Sequence, residues 1–192
     1  MAIYTQQALL DLGFLRVGKN VRISTQASFY GVGSISLGDN VRIDDFCVIS
    51  AGKGGIFIGS HVHIAVFSSL IGAGKISIDD FCNISSRVSI YSSSDDYSGE
   101  YLTNPTVNEQ FTNVDHGPVT LKKHVIVGAG CVILPNVVLD DGVALGALSL
   151  VNRDLQSWGI YAGQPAKYIK PRSKNLLNLE PAFLTHYNSE QQ

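Results

Sequence analysis

Large aliphatic residues recur at every sixth position through residues 121–151. The members of this series are Leu121, Val127, Ile133, Leu139, Leu145 and Val151. A smaller residue stands four positions after each of the first five, at Val125, Cys131, Val137, Val143 and Ser149. A six-residue period fits neither an α-helix nor a single strand pair, and it is typical of a parallel β-helix whose short strands stack coil upon coil. We therefore predict that both series point into one core, while glycine and polar residues turn corners or face water.

The same pattern extends toward the N-terminus in a looser form. Residues 18–23, 38–43 and 59–64 are three versions of one six-residue sequence. The aliphatic residues that lead the successive coils lie at intervals of 20, 21, 20 and 43 residues and are Val17, Leu37, Ile58, Ile78 and Leu121. Because the last interval is about twice the others, it contains an additional loop, which we place at residues 91–118. Long loops on a rigid scaffold are more often functional than accidental.

We predict one all-β domain with short additions at both ends. Residues 15–166 form the β-helix, residues 1–14 form an N-terminal capping segment, and residues 167–192 form a basic C-terminal segment and tail. In the capping segment, Thr5 is placed to cap a short helix that stops at Gly13. Such a helix would cover the unpaired strand edges of the first coil.

Composition narrows the class of function. Of the 192 residues 45% are hydrophobic, which is enough for a sizeable core, and the net charge of -2 gives no electrostatic case for a nucleic-acid partner. No apolar run approaches the roughly 20 residues of a membrane span, and the N-terminus does not resemble a signal peptide. We therefore expect a cytoplasmic protein that does not insert into membranes.

The three cysteines are expected to be core residues. Cys47, Cys82 and Cys131 each stand four positions after an inward aliphatic residue, where other coils carry valine, alanine or serine. Free cysteine packs as a small apolar residue, and three unpaired thiols fit a reducing compartment.

Two segments carry a resemblance to a known family. Residues 119–135 and 160–167 resemble the hexapeptide-repeat acyltransferases, and the similarity extends from about residue 13 to about residue 179. Within that superfamily the chain is similar to the galactoside, maltose and xenobiotic acetyltransferase branch, and there to the O-acetyltransferases of surface-polysaccharide synthesis. The resemblance implies a left-handed parallel β-helix, a homotrimer, and acetyl-CoA as cosubstrate with no metal required.

The resemblance also implies a donor site on the C-terminal coils. In the family, the pantetheine arm lies along the coils between neighbouring subunits. The positions of this chain that match its groove or suit the nucleotide phosphates are Gly128, Ala129, Ala147, Asn152, Arg153, Lys170 and Arg172. For Lys170 and Arg172 the alternative is a solvated basic tail.

The catalytic base is where the chain departs from the family pattern. At the position of the galactoside branch's catalytic histidine, this chain has Asp95. We expect His63 to act as general base, because an imidazole suits proton transfer near neutral pH. Asp95 would orient it or share the proton chemistry across a subunit interface. The alternatives are His116 in the loop and His124 near the groove, or that His63 is merely an exposed polar residue.

The loop offers candidate acceptor ligands. Asp96 and Tyr97 lie in a segment that resembles a motif of the polysaccharide-linked group, and carboxylates and aromatic faces bind sugars. The alternative is a simple turn, because this segment is rich in turn-forming residues.

We therefore predict an O-acetyltransferase that acetylates a hydroxyl of a sugar or glycan precursor by direct transfer from acetyl-CoA. The alternative on the same scaffold is N-acetylation of an amino-sugar nucleotide, which needs less base catalysis. More remote alternatives are a metal protein of the γ-carbonic-anhydrase type, which needs three converging histidines, and a catalytically silent scaffold.

Overall fold

The computed structural model describes residues 2–190, and most of them form a parallel β-helix with three faces. Strands are numbered in chain order. The first face contains β1 (Arg16–Val17), β4 (Ile35–Leu37), β7 (Ile56–Ile58), β10 (Ile76–Ile78), β15 (Val119–Leu121) and β18 (Val137–Leu139). The third face contains β3 (Ser28–Tyr30), β6 (Val48–Ala51), β9 (Ser69–Gly72), β12 (Ser89–Tyr91), β17 (Val132–Ile133) and β20 (Leu150–Val151).

The second face is the largest sheet. It contains β2 (Arg22–Ile23), β5 (Arg42–Ile43), β8 (His63–Ile64), β11 (Asn83–Ile84), β16 (Ile126–Val127), β19 (Ala144–Leu145), β21 (Gly159–Ala162) and β22 (Lys167–Pro171). All neighbouring pairs of these three sheets are parallel except β21 with β22, where the chain turns back at the C-terminal end. The predicted fold class, an all-β parallel β-helix with one long loop, is confirmed.

The core contains the residues that the six-residue period selected. The leading aliphatics of the C-terminal coils are at most 3% exposed, and the smaller residues four positions later are at most 1% exposed. The three cysteines are free and buried within this core. Burial raises the pKa of the Cys47 thiol to about 11 and that of Cys82 to about 12, so both thiols stay protonated at neutral pH.

The N-terminal segment folds as a short cap. Helix α1 (Gln6–Asp11) begins after Thr5, whose side chain accepts a hydrogen bond from the backbone N–H of Ala8. Leu9 is fully buried against the first coil. The predicted capping helix and its stop before Gly13 are thus present.

One corner of every coil carries a residue in the left-handed conformation. Between the first and second faces these residues are Asn20, Asn40, His61, Phe81, His124, Gly142 and Trp158, with φ from 55° to 65°. Because successive coils stack, their side chains form a column along the corner. The rings of His61 and Phe81 stack at 4.9 Å between centroids, and those of Phe81 and His124 at 5.2 Å.

Helix α2 (Leu176–Glu190) packs across this column. The ring of Phe183 meets the rings of His61 and Phe81 edge to face. The hydroxyl of Tyr187 donates to the Asn40 side chain at 3.1 Å, and Glu180 pairs with Lys123 and His124. The C-terminal tail therefore covers the corner with a helix.

The long loop leaves the third face through a narrow neck. Strands β13 (Ser93–Ser94) and β14 (Asp115–His116) pair antiparallel there. A short 3-10 helix (Glu109–Phe111) lies within the loop. Among residues 2–190, no helix combines the length and hydropathy that a bilayer crossing requires.

Candidate active site

The outward side chains of the second face form a polar column on its first four strands. Arg22, Arg42, His63 and Asn83 stand on β2, β5, β8 and β11 in direct register. Neighbouring rungs of a sheet are about 4.8 Å apart, so these side chains lie one above another along the face.

His63 is held by two neighbours from adjacent coils. Its Nε2 lies 2.8 Å from a carboxylate oxygen of Asp44, and its Nδ1 lies 3.3 Å from the side-chain oxygen of Asn83. The Nε of Arg42 donates to the other oxygen of Asp44 at 2.7 Å. Burial raises the pKa of Asp44, but the hydrogen bonds from His63 and Arg42 outweigh it and hold the pKa below its ordinary value.

This pairing differs from the predicted partnership of His63 with Asp95. Within one chain the carboxylate that orients His63 is Asp44, because Asp44 starts the corner one coil below. Asp95 follows β13 at the loop neck beyond the third face. A contact between His63 and Asp95 across subunits stays a prediction about the assembly.

A groove of about 420 Å³ runs beside this column. Its polar lining includes Arg22, Asn40, Arg42 and His63. Phe183 and Tyr187 of helix α2 form its wall, with His61 and Val62 also at the surface of the groove. The groove thus combines two guanidinium groups and an imidazole with aromatic surface.

The candidate acceptor residues lie at the start of the loop. Asp95 is exposed, and its carboxylate has no hydrogen-bond or ion-pair partner among residues 2–190. Asp96 accepts hydrogen bonds from the backbone N–H and the hydroxyl of Ser98, at 3.1 and 2.6 Å. These bonds stabilise a turn, which was the alternative to acceptor binding for this segment. The side chain of Tyr97 is 93% exposed.

The two alternative histidines have local partners. Nδ1 of His116 lies 2.8 Å from the Ser93 hydroxyl at the loop neck. His124 is 8% exposed, and its Nε2 lies 2.8 Å from Glu180. His124 therefore belongs to the packing of helix α2. Among the described residues, no group of three or more His, Cys, Asp or Glu side chains could hold a metal ion.

Three of the seven predicted donor residues, Gly128, Ala129 and Ala147, lie at the corner between the second and third faces. A Cβ on Gly128 would come within 2.5 Å of the Ala147 nitrogen of the next coil, so glycine is required by the close stacking. Ala129 and Ala147 are exposed at neighbouring levels of this corner. They leave a smooth strip of small residues beside Gly128.

The basic donor candidates have different surroundings. Arg153, Asn152 and Lys170 are exposed. Within residues 2–190, the Arg153 guanidinium makes one hydrogen bond, a long one of 3.5 Å to the Ala166 carbonyl. Nη1 of Arg172 instead donates to the carbonyls of His124 and Gly142, at 2.8 and 3.0 Å. Arg172 thus fastens the C-terminal segment to the corner column, and burial lowers its pKa.

Sequence reasoning missed two contributors to the site. Asp44 is the only charged residue in a column of corner positions otherwise held by Ser24, Ala65, Ser85, Gly128 and Gly146, and that break in the pattern was a usable signal. The contacts of helix α2 with the corner column had no comparable signal, because the tail lies outside the repeat.

Comparisons with known proteins bear on the chemistry of this site. No protein-family model matches the chain. The chain is 55% identical over 183 residues to a dTDP-4-amino-4,6-dideoxy-D-glucose acyltransferase of Escherichia coli, covering 95% of both proteins. The crystal structure of AntD, an N-acyltransferase from Bacillus cereus in complex with dTDP and 3-hydroxybutyryl-CoA, is 49% identical and superposes with a TM-score of 0.93 over 98% of this chain and all of AntD.

A more distant structure shares the fold alone. A maltose O-acetyltransferase from Clostridium difficile 630 is 20% identical, with a TM-score of 0.59 over 88% of this chain and 75% of that one. The relatives of high identity act on an amino sugar or are N-acyltransferases, and this overturns the predicted acetylation of a hydroxyl. The findings favour the alternative, an amino-sugar nucleotide as acceptor.

Proposed function

Because the chain belongs to the hexapeptide-repeat acyltransferases and uses acyl-CoA as cosubstrate, we propose that it acylates the amine of a dTDP-linked amino sugar. The observation that carries this proposal is the 55% identity, over 95% of both chains, to an enzyme named for dTDP-4-amino-4,6-dideoxy-D-glucose. An AntD variant has also been crystallised with that sugar nucleotide and coenzyme A.

Acyl transfer from a thioester to an amine requires mainly that the protein position the two substrates. The neutral amine attacks the thioester carbonyl, a C–N bond forms, and the C–S bond breaks to release the thiolate of coenzyme A. The amine gives up one proton and the thiolate gains one, so the reaction is balanced without a covalent enzyme intermediate. An amine is a better nucleophile than a hydroxyl, and orientation in a near-attack geometry supplies most of the acceleration.

We assign Asp95 to the amine. Its carboxylate is exposed and unpartnered among the described residues, and it stands where the loop leaves the coil. A carboxylate there accepts a hydrogen bond from the amine, turns its lone pair toward the thioester and takes up the proton transiently. Tyr97 offers an exposed aromatic face for the sugar, whereas Asp96 shapes the turn.

His63 is less suited to the role of base than the sequence suggested. Both ring nitrogens already have partners within the chain, Nε2 in Asp44 and Nδ1 in Asn83, so neither is left open toward an acceptor amine. We assign His63 to acceptor binding, and its service as general base is the alternative that the experiment below tests.

The donor is assigned to the opposite end of the β-helix. The pantetheine arm lies along Ala129 and Ala147, with Asn152 and Arg153 beside it, and Lys170 is the exposed cation for the phosphates. AntD was crystallised with 3-hydroxybutyryl-CoA, and we therefore include acyl groups longer than acetyl in the proposal.

The proposal also includes the oligomeric state, the biosynthetic role and the cellular location of the enzyme. A homotrimer would place the loop of one subunit beside the coils of the next and complete the site. The acylated sugar nucleotide would serve surface-polysaccharide synthesis. A cytoplasmic location fits the three buried free thiols.

The test is a comparison of two acceptors that differ in one group. The enzyme is incubated with acetyl-CoA and either dTDP-4-amino-4,6-dideoxyglucose or dTDP-6-deoxyglucose, which has a hydroxyl at the same carbon. Release of coenzyme A is followed with a thiol reagent, and products are identified by mass spectrometry. We expect turnover of the amine alone. Equal turnover of the hydroxyl compound, or none of the amine by an enzyme that binds acetyl-CoA, would overturn the proposal.

Two variants then separate the roles of the candidate residues. We expect Asp95→Asn to lower kcat at least about tenfold with little change in KM for the donor. We expect His63→Ala to raise the acceptor KM more than it lowers kcat. A loss confined to kcat in His63→Ala would instead return His63 to the role of general base.

A further inference from the structure

We infer that the column formed by Arg22, Arg42 and His63 binds the diphosphate of the nucleotide-linked acceptor. This inference rests on the proposed function and assigns it a recognition site on the second face. The column lies on the N-terminal coils, away from the donor strip at Ala129 and Ala147.

The two arginine charges of the column are only partly neutralised among residues 2–190, because Asp44 pairs with Arg42 alone of the two. The guanidinium of Arg22 is exposed and has no hydrogen-bond, ion-pair or ring partner among residues 2–190. Arg42 donates to Asp44 through Nε alone, and neither of its terminal amino groups has a hydrogen-bond partner within residues 2–190. Among residues 2–190, Asp44 is the one carboxylate paired with the column, and it contacts Arg42 and His63 but not Arg22. The column is therefore a locally cationic strip on a chain whose net charge is -2.

The two arginines of the column stand on its first two rungs, beside the groove. Beyond His63 the same outward column continues with Asn83, Ile126, Ala144 and Ile160, which are uncharged, and the next cation in register is Lys170 on β22. Arg22 and Arg42 are therefore an isolated pair of adjacent cations at this end of the face. Such a pair beside a groove indicates a ligand that carries negative charge of its own.

The spacing suits a diphosphate. Arg22 and Arg42 stand on adjacent rungs about 4.8 Å apart, and arginine binds phosphate oxygens through a planar pair of N–H donors. Two guanidinium groups one rung apart can each grip one of two phosphates that share a bridging oxygen. A single phosphate would occupy only one of them.

The neighbouring cavities leave room on both sides of the diphosphate. The groove of about 420 Å³ beside the column continues past Arg22 and Asn40 into a second groove of about 360 Å³ on the first coil. In the other direction, His63 lies two rungs, or about 10 Å, below the level of Ile126 and the donor strip. A nucleoside fits on the first side, and a hexose spans the second toward the thioester.

The test uses dTDP and dTMP as probes, measured by calorimetry on the full-length protein. We expect the wild type to bind dTDP at least about tenfold more tightly than dTMP. We expect Arg22→Ala and Arg42→Gln each to weaken dTDP about 10- to 100-fold, the range for charge-assisted hydrogen bonds, while dTMP changes less. The ratio of the two affinities should therefore fall toward one in the double variant.

The matched control is Arg16→Ala. Arg16 is an exposed outward arginine of the same first coil, but it stands on β1 of the first face. It should leave both affinities within about twofold of the wild type. Coenzyme A binding and the thermal midpoint, measured on every variant, show whether the fold and the donor site are intact.

The outcomes separate this inference from the proposed function. A wild type that acylates the amino sugar, while Arg22→Ala and Arg42→Gln keep the affinity for dTDP, overturns the inference and leaves the function standing. A wild type that binds dTDP through these arginines but transfers no acyl group overturns the function and leaves the binding site. A folded wild type that does not bind dTDP overturns the inference outright.

Discussion

Replacement of Phe183 by alanine tests how helix α2 is held on the corner column. Phe183 is 44% exposed, so a little over half of its side chain is buried against His61 and Phe81. A phenylalanine that is fully buried covers about 200 Å², and burial contributes about 25 cal/mol per Å², so the contact is worth roughly 2–3 kcal/mol. A 15-residue helix is marginal in water by itself, so its order depends on docking.

Hydrogen exchange measured by mass spectrometry reports this docking directly. A loss of about 2.5 kcal/mol in local opening free energy raises exchange rates in residues 176–190 by roughly 70-fold. Peptides from the central coils should keep their protection, because their core does not contact Phe183. The affinity for dTDP should also fall, since α2 forms one wall of the groove.

The conservative control is Phe183→Leu, which keeps most of the apolar contact. It should raise the exchange of α2 by less than about tenfold. If Phe183→Ala leaves the exchange of α2 within twofold of the wild type, the ring contacts do not hold the helix. If instead the central coils lose protection equally, the helix is part of the global folding unit and the local argument is wrong.

Three further predictions follow from the core and the corners. Asp44→Asn should lower the free energy of unfolding at pH 7 by about 2 kcal/mol. Because the pKa of Asp44 is lowered in the folded state, this deficit should persist above about pH 5 and shrink as the pH falls below about 4, as denaturant titrations at several pH values would show. Cys47 and Cys82 should resist thiol reagents in the native protein at pH 8, because burial raises the pKa of both thiols. Gly128→Ala should destabilise the fold by about 1–3 kcal/mol and weaken coenzyme A, because the new methyl group meets the backbone nitrogen of Ala147.

Each of these has a matched control. Asp11→Asn alters an exposed carboxylate of α1 and should cost less than about 0.5 kcal/mol at any pH. The same cysteines should react at once in denaturant, and native reactivity at the denatured rate would contradict their burial. Gly33→Ala adds a methyl group where no atom lies within 4 Å, so it should be nearly neutral. An equal loss for Gly33→Ala and Gly128→Ala would refute the steric explanation.

The sequence by itself determined the coils. Each coil buries its inward aliphatics against the coil above and the coil below, so a six-residue period in the chain becomes a periodic core without any long-range information. The same period predicted that Cys47, Cys82 and Cys131 are buried, and it located the loop where the period is interrupted. Thr5 was identified separately, because its side chain suits the N-cap of a helix.

The acceptor could not be read from the same pattern. The period constrains inward residues, whereas the acceptor is recognised by outward ones that the core leaves free to vary. A hydroxyl and an amine differ by one atom of the ligand, and Asp95 suits a role with either. Only the similarity to amino-sugar acyltransferases over nearly the whole chain corrected the prediction of a hydroxyl acceptor.

The tertiary structure alone decided which outward residues meet. His63 and Asp44 are 19 positions apart in the sequence. They face each other because one coil takes about that many residues, which places Asp44 one coil below His63. His124 and Glu180 are 56 positions apart and meet because α2 folds over the corner column. Such pairs depend on the stacking register and on the docking of a segment outside the repeat. Neither leaves a periodic trace in the sequence, because only the buried side of a coil has to repeat.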